Sequence, residues 1–186
     1  MHKVKRKLGV VIGIVVLALA VYLFVLNNES NHPQETEPEN VKQLVQEYSA
    51  SQIKNESASI TSEQLIVTDS SGSETTYPLP QDEFFVSIAP YIENTHPCAI
   101  HSLTGCQGEL TEKEFNVYIE DQEGNVVVNQ MLTSQNNGFI DLWLPRDKTY
   151  KATIEYEGKA AEAEFSTFAD DDTCITTIQL NENKSV

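Results

Sequence analysis

The sequence predicts a mainly β protein. Its core is an antiparallel β-sandwich over residues 82–186, with a small N-terminal helix-plus-hairpin element beside it. Three observations carry this. Seven short strand candidates follow Asp82, parted by turn signals at near-regular spacing. In "YKATIEYEG" the residues Tyr150, Ala152, Ile154 and Tyr156 share one face, and Lys151, Thr153 and Glu155 the other. Upstream, Val41, Leu44, Val45 and Tyr48 fall at offsets of 3, 4 and 7, which is helical spacing.

The chain begins with Lys3, Lys5, Arg6 and Lys7, then an uncharged apolar or small run from Leu8 to Leu26. At about 1.5 Å per residue this run spans roughly 29 Å, enough to cross a hydrocarbon core. It ends in Tyr22-Leu23-Phe24-Val25-Leu26, bulky where signal cleavage wants small residues, and no lipid-attachment cysteine follows. Residues 1–26 are therefore expected to be an uncleaved transmembrane signal anchor. The alternative is a cleaved signal that leaves a secreted or periplasmic protein. Under either reading residues 27–186 lie outside the cytoplasm, where thiols tend to be oxidised.

Residues 27–39, "NNESNHPQETEPE", are polar and acidic and read as a disordered linker; His32 is a tether residue. Asn40 is placed as the cap of the helix. Strands are expected at Leu65–Thr68 and Thr75–Leu79, across the turn Asp69-Ser70-Ser71-Gly72. Residues 40–81 thus form a small α+β element, with docking or homodimerisation as its expected use. In the sandwich the expected strands are Phe84–Ala89, Glu114–Glu120, Asn125–Leu132, Gly138–Leu144, Thr149–Tyr156, Ala161–Phe165 and Thr173–Leu180. Trp143, Phe139 and Phe165 are assigned to the core.

Beyond residue 26 there are 8 basic against 28 acidic residues, a net charge of −20. Such a surface repels phosphate backbones and argues against nucleic-acid binding. There is no phosphate-binding Gly-rich loop, no HExxH and no catalytic triad order. Glu109 and Glu112 read as solvated loop residues, and Asp170-Asp171-Asp172 as a turn.

One stretch stands apart. "THPCAIHSLTGCQGEL", residues 95–110, holds two of the three cysteines and two of the four histidines. Pro97 and Gly105 make it a loop. Cys174 opens the last expected strand and can close on that loop if the two are neighbours. The ligand candidates are Cys98, Cys106, Cys174, His96 and His101. Thiolates favour Cu(I) and zinc, and imidazole suits both metals. The spacing is not a paired CxxC zinc knuckle, so copper ranks first and zinc second. On spacing alone three readings stay open: a metal site, a Cys98–Cys106 disulfide that staples the loop, and thiol–disulfide redox chemistry.

The same residues carry a family resemblance. The loop, preceded by "YPLPQDEFFVSIAPYIENTH" and followed by "GFIDLWLPRDKTY" and "DTCITTIQL", resembles the CueP family of exported copper-binding proteins. The likeness runs over about residues 41–180. Residues 95–110 fit the family loop His-x-Cys-x-x-His-Ser-Leu-x-x-Cys-x-Gly-Glu. Thr173-Cys174-Ile175-Thr176 fits its distant Thr-Cys-x-Thr. The resemblance implies Cu(I) binding through the three cysteines with histidine assistance. It implies a role in copper resistance or delivery to a cuproenzyme client, and an N-terminal part, here residues 40–81, that helps to dimerise. A thiol pair beside copper can also reduce Cu(II), held transiently, to Cu(I). Any enzyme activity would be of that cupric-reductase kind. The apolar N-terminus departs from a soluble periplasmic protein and suits tethering to the outer face of a membrane.

Overall fold

The computed structural model describes residues 38–182. Helix α1 is Pro38–Ser49. It starts two residues ahead of Asn40, so that residue lies in the helix and is not its cap; a proline suits a first turn because its missing N–H would have no intrahelical partner there. Val41, Val45 and Tyr48 are buried against Ala58, Ile60, Leu65, Val67, Leu79, Phe85 and Leu103. The stripe is thus buried within the molecule. The Leu8–Leu26 run lies outside the described residues. Among the described ones no helix is long and apolar enough to cross a membrane.

Three sheets follow. The first has the order β3-β2-β1-β5 and is antiparallel throughout: β1 is Ser57–Ile60, β2 Gln64–Thr68, β3 Glu74–Pro78 and β5 His101–Ser102. The expected hairpin is β2–β3. Two of its partners were not expected, and one of them comes from the Cys/His loop. The second sheet has the order β12-β10-β9-β6-β7, with β6 Glu114–Asp121, β7 Val126–Thr133, β9 Thr149–Tyr156, β10 Lys159–Ser166 and β12 Asn181–Glu182. The β9–β10 turn needs left-handed backbone at both Glu157 (φ 46) and Gly158 (φ 78), the geometry of a tight hairpin. The third sheet, β11-β4-β8, joins β4 (Glu83–Ile88) to β8 (Ile140–Pro145) and β11 (Cys174–Ile175).

Phe84, Val86 and Ile88 from β4 share one core with Phe115, Val117, Ile119, Ala152 and Ile154 of the five-stranded sheet. Phe85, on the opposite face of β4, belongs to the core beneath α1. Every large side chain fully buried here contributes about 1.5–3 kcal/mol.

Two expectations need correction. The last strand, expected over Thr173–Leu180, is only Cys174–Ile175, and it runs parallel to β4, so the fold is not antiparallel throughout. β8 already occupies one edge of β4. The terminal segment takes the other, through Ser87 N–H to Thr173 O at 2.8 Å and Ala89 N–H to Ile175 O at 2.9 Å. Trp143 is half-buried and packs against the core beneath α1, edge-on to Phe85 with Lys42 over its ring.

Candidate metal centre

Cys98 lies in coil, ahead of β5. His101 opens β5, its register fixed by pairing with Ile60. A single turn, with Gly105 N–H and Cys106 N–H both directed at Ser102 O, swings Cys106 back toward Cys98. Cys174 comes in on β11, opposite Ser87. Thr173 stitches these pieces together. Its Oγ1 accepts the His101 N–H at 3.0 Å and donates to Ile60 O at 2.6 Å. Its N–H and that of Cys174 both reach Ala99 O.

The outcome is a cluster. Ligand atoms of Cys98, His101, Cys106 and Cys174 all lie within 4.8 Å of one another. The Cys98 and Cys106 sulfurs are 3.4 Å apart, and His101 Nδ1 is 3.4 Å from Cys174 Sγ. All three cysteines are free thiols. With metal–sulfur bonds near 2.3 Å, ligand sulfurs around one ion sit roughly 4 Å apart, so this spacing fits a single ion. His96 is not among the four. It is half-buried, with its ring 6.4 Å from that of Phe139.

Burial sets the electrostatics. It pushes the Cys98 thiol up to about 11; a hydrogen bond with Cys174 works the other way, and proximity to Cys106 adds to the rise. Burial also raises Cys174, helped by the neighbouring sulfurs. His101 is fully buried and pushed down to about 4 by desolvation, against the opposing charge of Asp141. Its ring is therefore neutral near pH 7. Nδ1 faces the thiols, and Nε2 has no hydrogen-bond partner among the described residues. A buried neutral imidazole beside three thiols is a donor set for a soft or borderline ion.

The surroundings hold residues that the sequence reading placed elsewhere or passed over. Phe139, assigned to the core, is buried and also walls the site, its ring 4.5 Å from that of His101. Glu109 is more than a solvated loop residue. Its carboxylate accepts backbone N–H groups of Ile92 (2.7 Å), Glu93 (2.9 Å) and Asn94 (3.2 Å), which ties the Cys106 arm to the segment before His96. Burial alone would raise Glu109, but these bonds outweigh it and hold the carboxyl below its ordinary value. Gly108 lies against Gly138. A Cβ on Gly108 would come 2.6 Å from Gly138 O, and Gly138 has φ +81. Asp141 accepts from Ser87 Oγ and Gln135 Nε2 beside His101. Only pairing across the fold reveals Asp141, while the Thr-Cys-x-Thr match was the available signal for Thr173. The Gly-Glu ending of the loop was the one available signal for Glu109.

A groove of about 790 Å³ lies elsewhere, between α1 and the β4–β8 face. Amides and Lys42 line much of it, and no cysteine or histidine does.

A family model described as "Periplasmic copper-binding protein CueP" matches residues 39–179. Among solved structures, the crystal structure of S.CueP is 40% identical, with a TM-score of 0.71, covering 76% of this chain and 89% of that one. No curated protein matches the chain. The family loop lies within the matched span, and the cysteine distant from it in sequence meets that loop in space. The chain belongs to the CueP family of periplasmic copper-binding proteins.

Proposed function

We propose that this chain is an extracytoplasmic copper carrier. It takes Cu(I) on the sulfurs of Cys98, Cys106 and Cys174, with His101 as nitrogen ligand and His96 at the approach, and hands it to a client protein. The Leu8–Leu26 run tethers it to the outer membrane face. The observation that carries the reading is the convergence of four soft donors within 4.8 Å, with His101 and Cys174 out of water. Cu(I) is soft and content with few ligands, so thiolates take it in preference to the many carboxylates on the surface. The bound ion displaces the thiol protons that burial otherwise retains.

Cu(II) prefers nitrogen and oxygen, and would meet an imidazole first. Two Cu(II) ions can then each take one electron from the Cys98–Cys106 pair, leaving two Cu(I), one disulfide and two protons. A thiol–disulfide exchanger is the weaker reading. Its attacking group is a thiolate, favoured by a lowered thiol pKa, whereas Cys98 is raised to about 11.

The test is Cu(I) competition against a chelator under anaerobic conditions. Each single Cys→Ser variant at 98, 106 and 174 is expected to lose at least about tenfold in affinity, roughly 1.4 kcal/mol. His101→Ala should lose less. Retention of full affinity by Cys174→Ser would refute the three-sulfur site.

A further inference from the structure

Two of the four cluster residues, His101 and Cys174, are buried; Cys98 and Cys106 are half-exposed. Any protein that takes the ion directly must therefore approach over the lip that carries those two sulfurs. That lip is unusual for this chain. Residues 95–108 contain no charged side chain, in a protein with 28 acidic residues. Pro97, Ala99, Ile100 and Gly105 are exposed on it, and Ile100 is 57% exposed. Beside it is a notch of about 210 Å³, lined by Ser62, Ala99, Ile100, Asp170, Asp171 and Asp172 among others. Hydrogen bonds from Thr173 and Cys174 N–H to Ala99 O fasten the acidic turn to the lip, and Ser62 Oγ donates to Ala169 O across the notch. Asp171 accepts from Phe168 N–H. Asp170 and Asp172 are exposed and belong to none of the ion pairs among the described residues.

We propose that this lip and notch form the docking face for the copper-accepting protein. The partner presents a thiol within an apolar patch that covers Pro97, Ala99 and Ile100, and a Lys or Arg side chain that enters the notch between Asp170 and Asp172. This rests on the copper-carrier reading above. The neutral lip lets the two surfaces exclude water around the ion, and the notch fixes their orientation. A second copy of this chain does not fit, because it would bring another strongly acidic surface to the aspartates. Transfer is ligand exchange without redox. At each exchange an incoming thiol loses its proton as its sulfur bonds Cu(I), one of the copper bonds to Cys98, Cys106 or Cys174 breaks, beginning with Cys98, and the released thiolate takes up a proton. His101 leaves as a neutral donor, and the ion ends on the partner alone. Copper stays in the +1 state.

The experiment uses the Cu(I)-loaded full-length protein and two synthetic Cys-x-x-Cys peptides, one flanked by lysines and one by glutamates. Transfer rates are followed at low and high salt. The lysine peptide is expected to take copper about tenfold faster at low salt. That advantage should shrink by about threefold or more in D170N/D172N, yet stay within about twofold in E157Q/E164Q, which makes the same charge change on the five-stranded sheet. I100Q should slow both peptides. Equal loss in the two double variants would mean that overall charge alone acts, and would overturn the proposal. Self-association abolished by I100Q would overturn it as well, by making the lip a contact between copies. Chelator competition on the same samples separates the two levels. A protein without Cu(I) affinity refutes the carrier reading and the docking face with it. Full affinity with rates blind to Asp170 and Asp172 refutes the docking face alone.

Discussion

Burial acts in opposite senses on the two kinds of donor in the cluster. It keeps His101 neutral and ready to coordinate, and it keeps Cys98 and Cys174 protonated until a metal displaces the proton. His101 also has a consequence for the metal-free protein. Its folded value, about 4, lies below the ordinary 6.5. As pH falls below 6.5 the unfolded chain binds this proton before the folded one does. The stability contributed by the neutral buried ring is therefore fully present above pH 6.5 and is lost on the way down to about 4. The full loss is on the order of 3 kcal/mol. Urea unfolding of the metal-free protein at pH 7 and at pH 4.5 should show this drop, and His101→Asn should remove most of it. An equal drop in the variant would assign the effect to carboxylates instead. The five donor candidates were legible in the sequence because Cys and His are scarce and crowded there. What separates His101 from His96, one buried among the sulfurs and the other at the rim, is β5 pairing with β1, and two residues of strand leave no periodicity to read.

Long elements with strong pattern were readable. β9 and β10 follow from alternation and from the Glu157-Gly158 turn, and α1 from the stripe Val41–Tyr48. β1 was not, because "SASI" is short, small and weakly patterned. The expected final strand, Thr173–Leu180, was overestimated for the opposite reason. Its β-prone composition promises a ladder, but only Cys174 and Ile175 pair continuously with β4. Thr173 matters more than its place beside a two-residue strand suggests, since its hydroxyl bridges β5 to β1 inside the protein. Thr173→Val leaves the buried His101 N–H and Ile60 carbonyl each short of a partner. At about 1–3 kcal/mol for each of the two orphaned groups, the loss should be about 2–6 kcal/mol. Cu(I) affinity should fall with it, as His101 loosens. Thr173→Ser keeps the hydroxyl and should recover most of both. Denaturant unfolding alongside chelator competition measures this; a Val variant as stable as the parent would show that the bridge is dispensable.

At the scale of the whole molecule, the cluster brings together separate parts of the fold. His101 belongs to the four-stranded sheet, Cys174 to the three-stranded one, and Cys98 and Cys106 to the loop between β4 and β6. One ion held by all four donors would bridge two sheets and a loop. Unfolding scatters those donors and releases the ion, so binding free energy becomes folding free energy. When free Cu(I) is buffered at a thousandfold its dissociation constant, the folded state should gain about 4 kcal/mol; a hundredfold should give about 2.7. The increment should shrink in Cys174→Ser, which cuts the link to β11, by about 1.4 kcal/mol for each tenfold loss of affinity. It should be unchanged in a chain that starts at residue 38, because no cluster donor and none of the family match lies before that point. Anaerobic denaturant unfolding at several buffered Cu(I) levels measures it. A midpoint that does not move with copper would mean that the ion either stays on the unfolded chain or never bridges the sheets. If the shorter chain lost the increment while keeping its metal-free stability, residues 1–37 would have to take part in holding the ion.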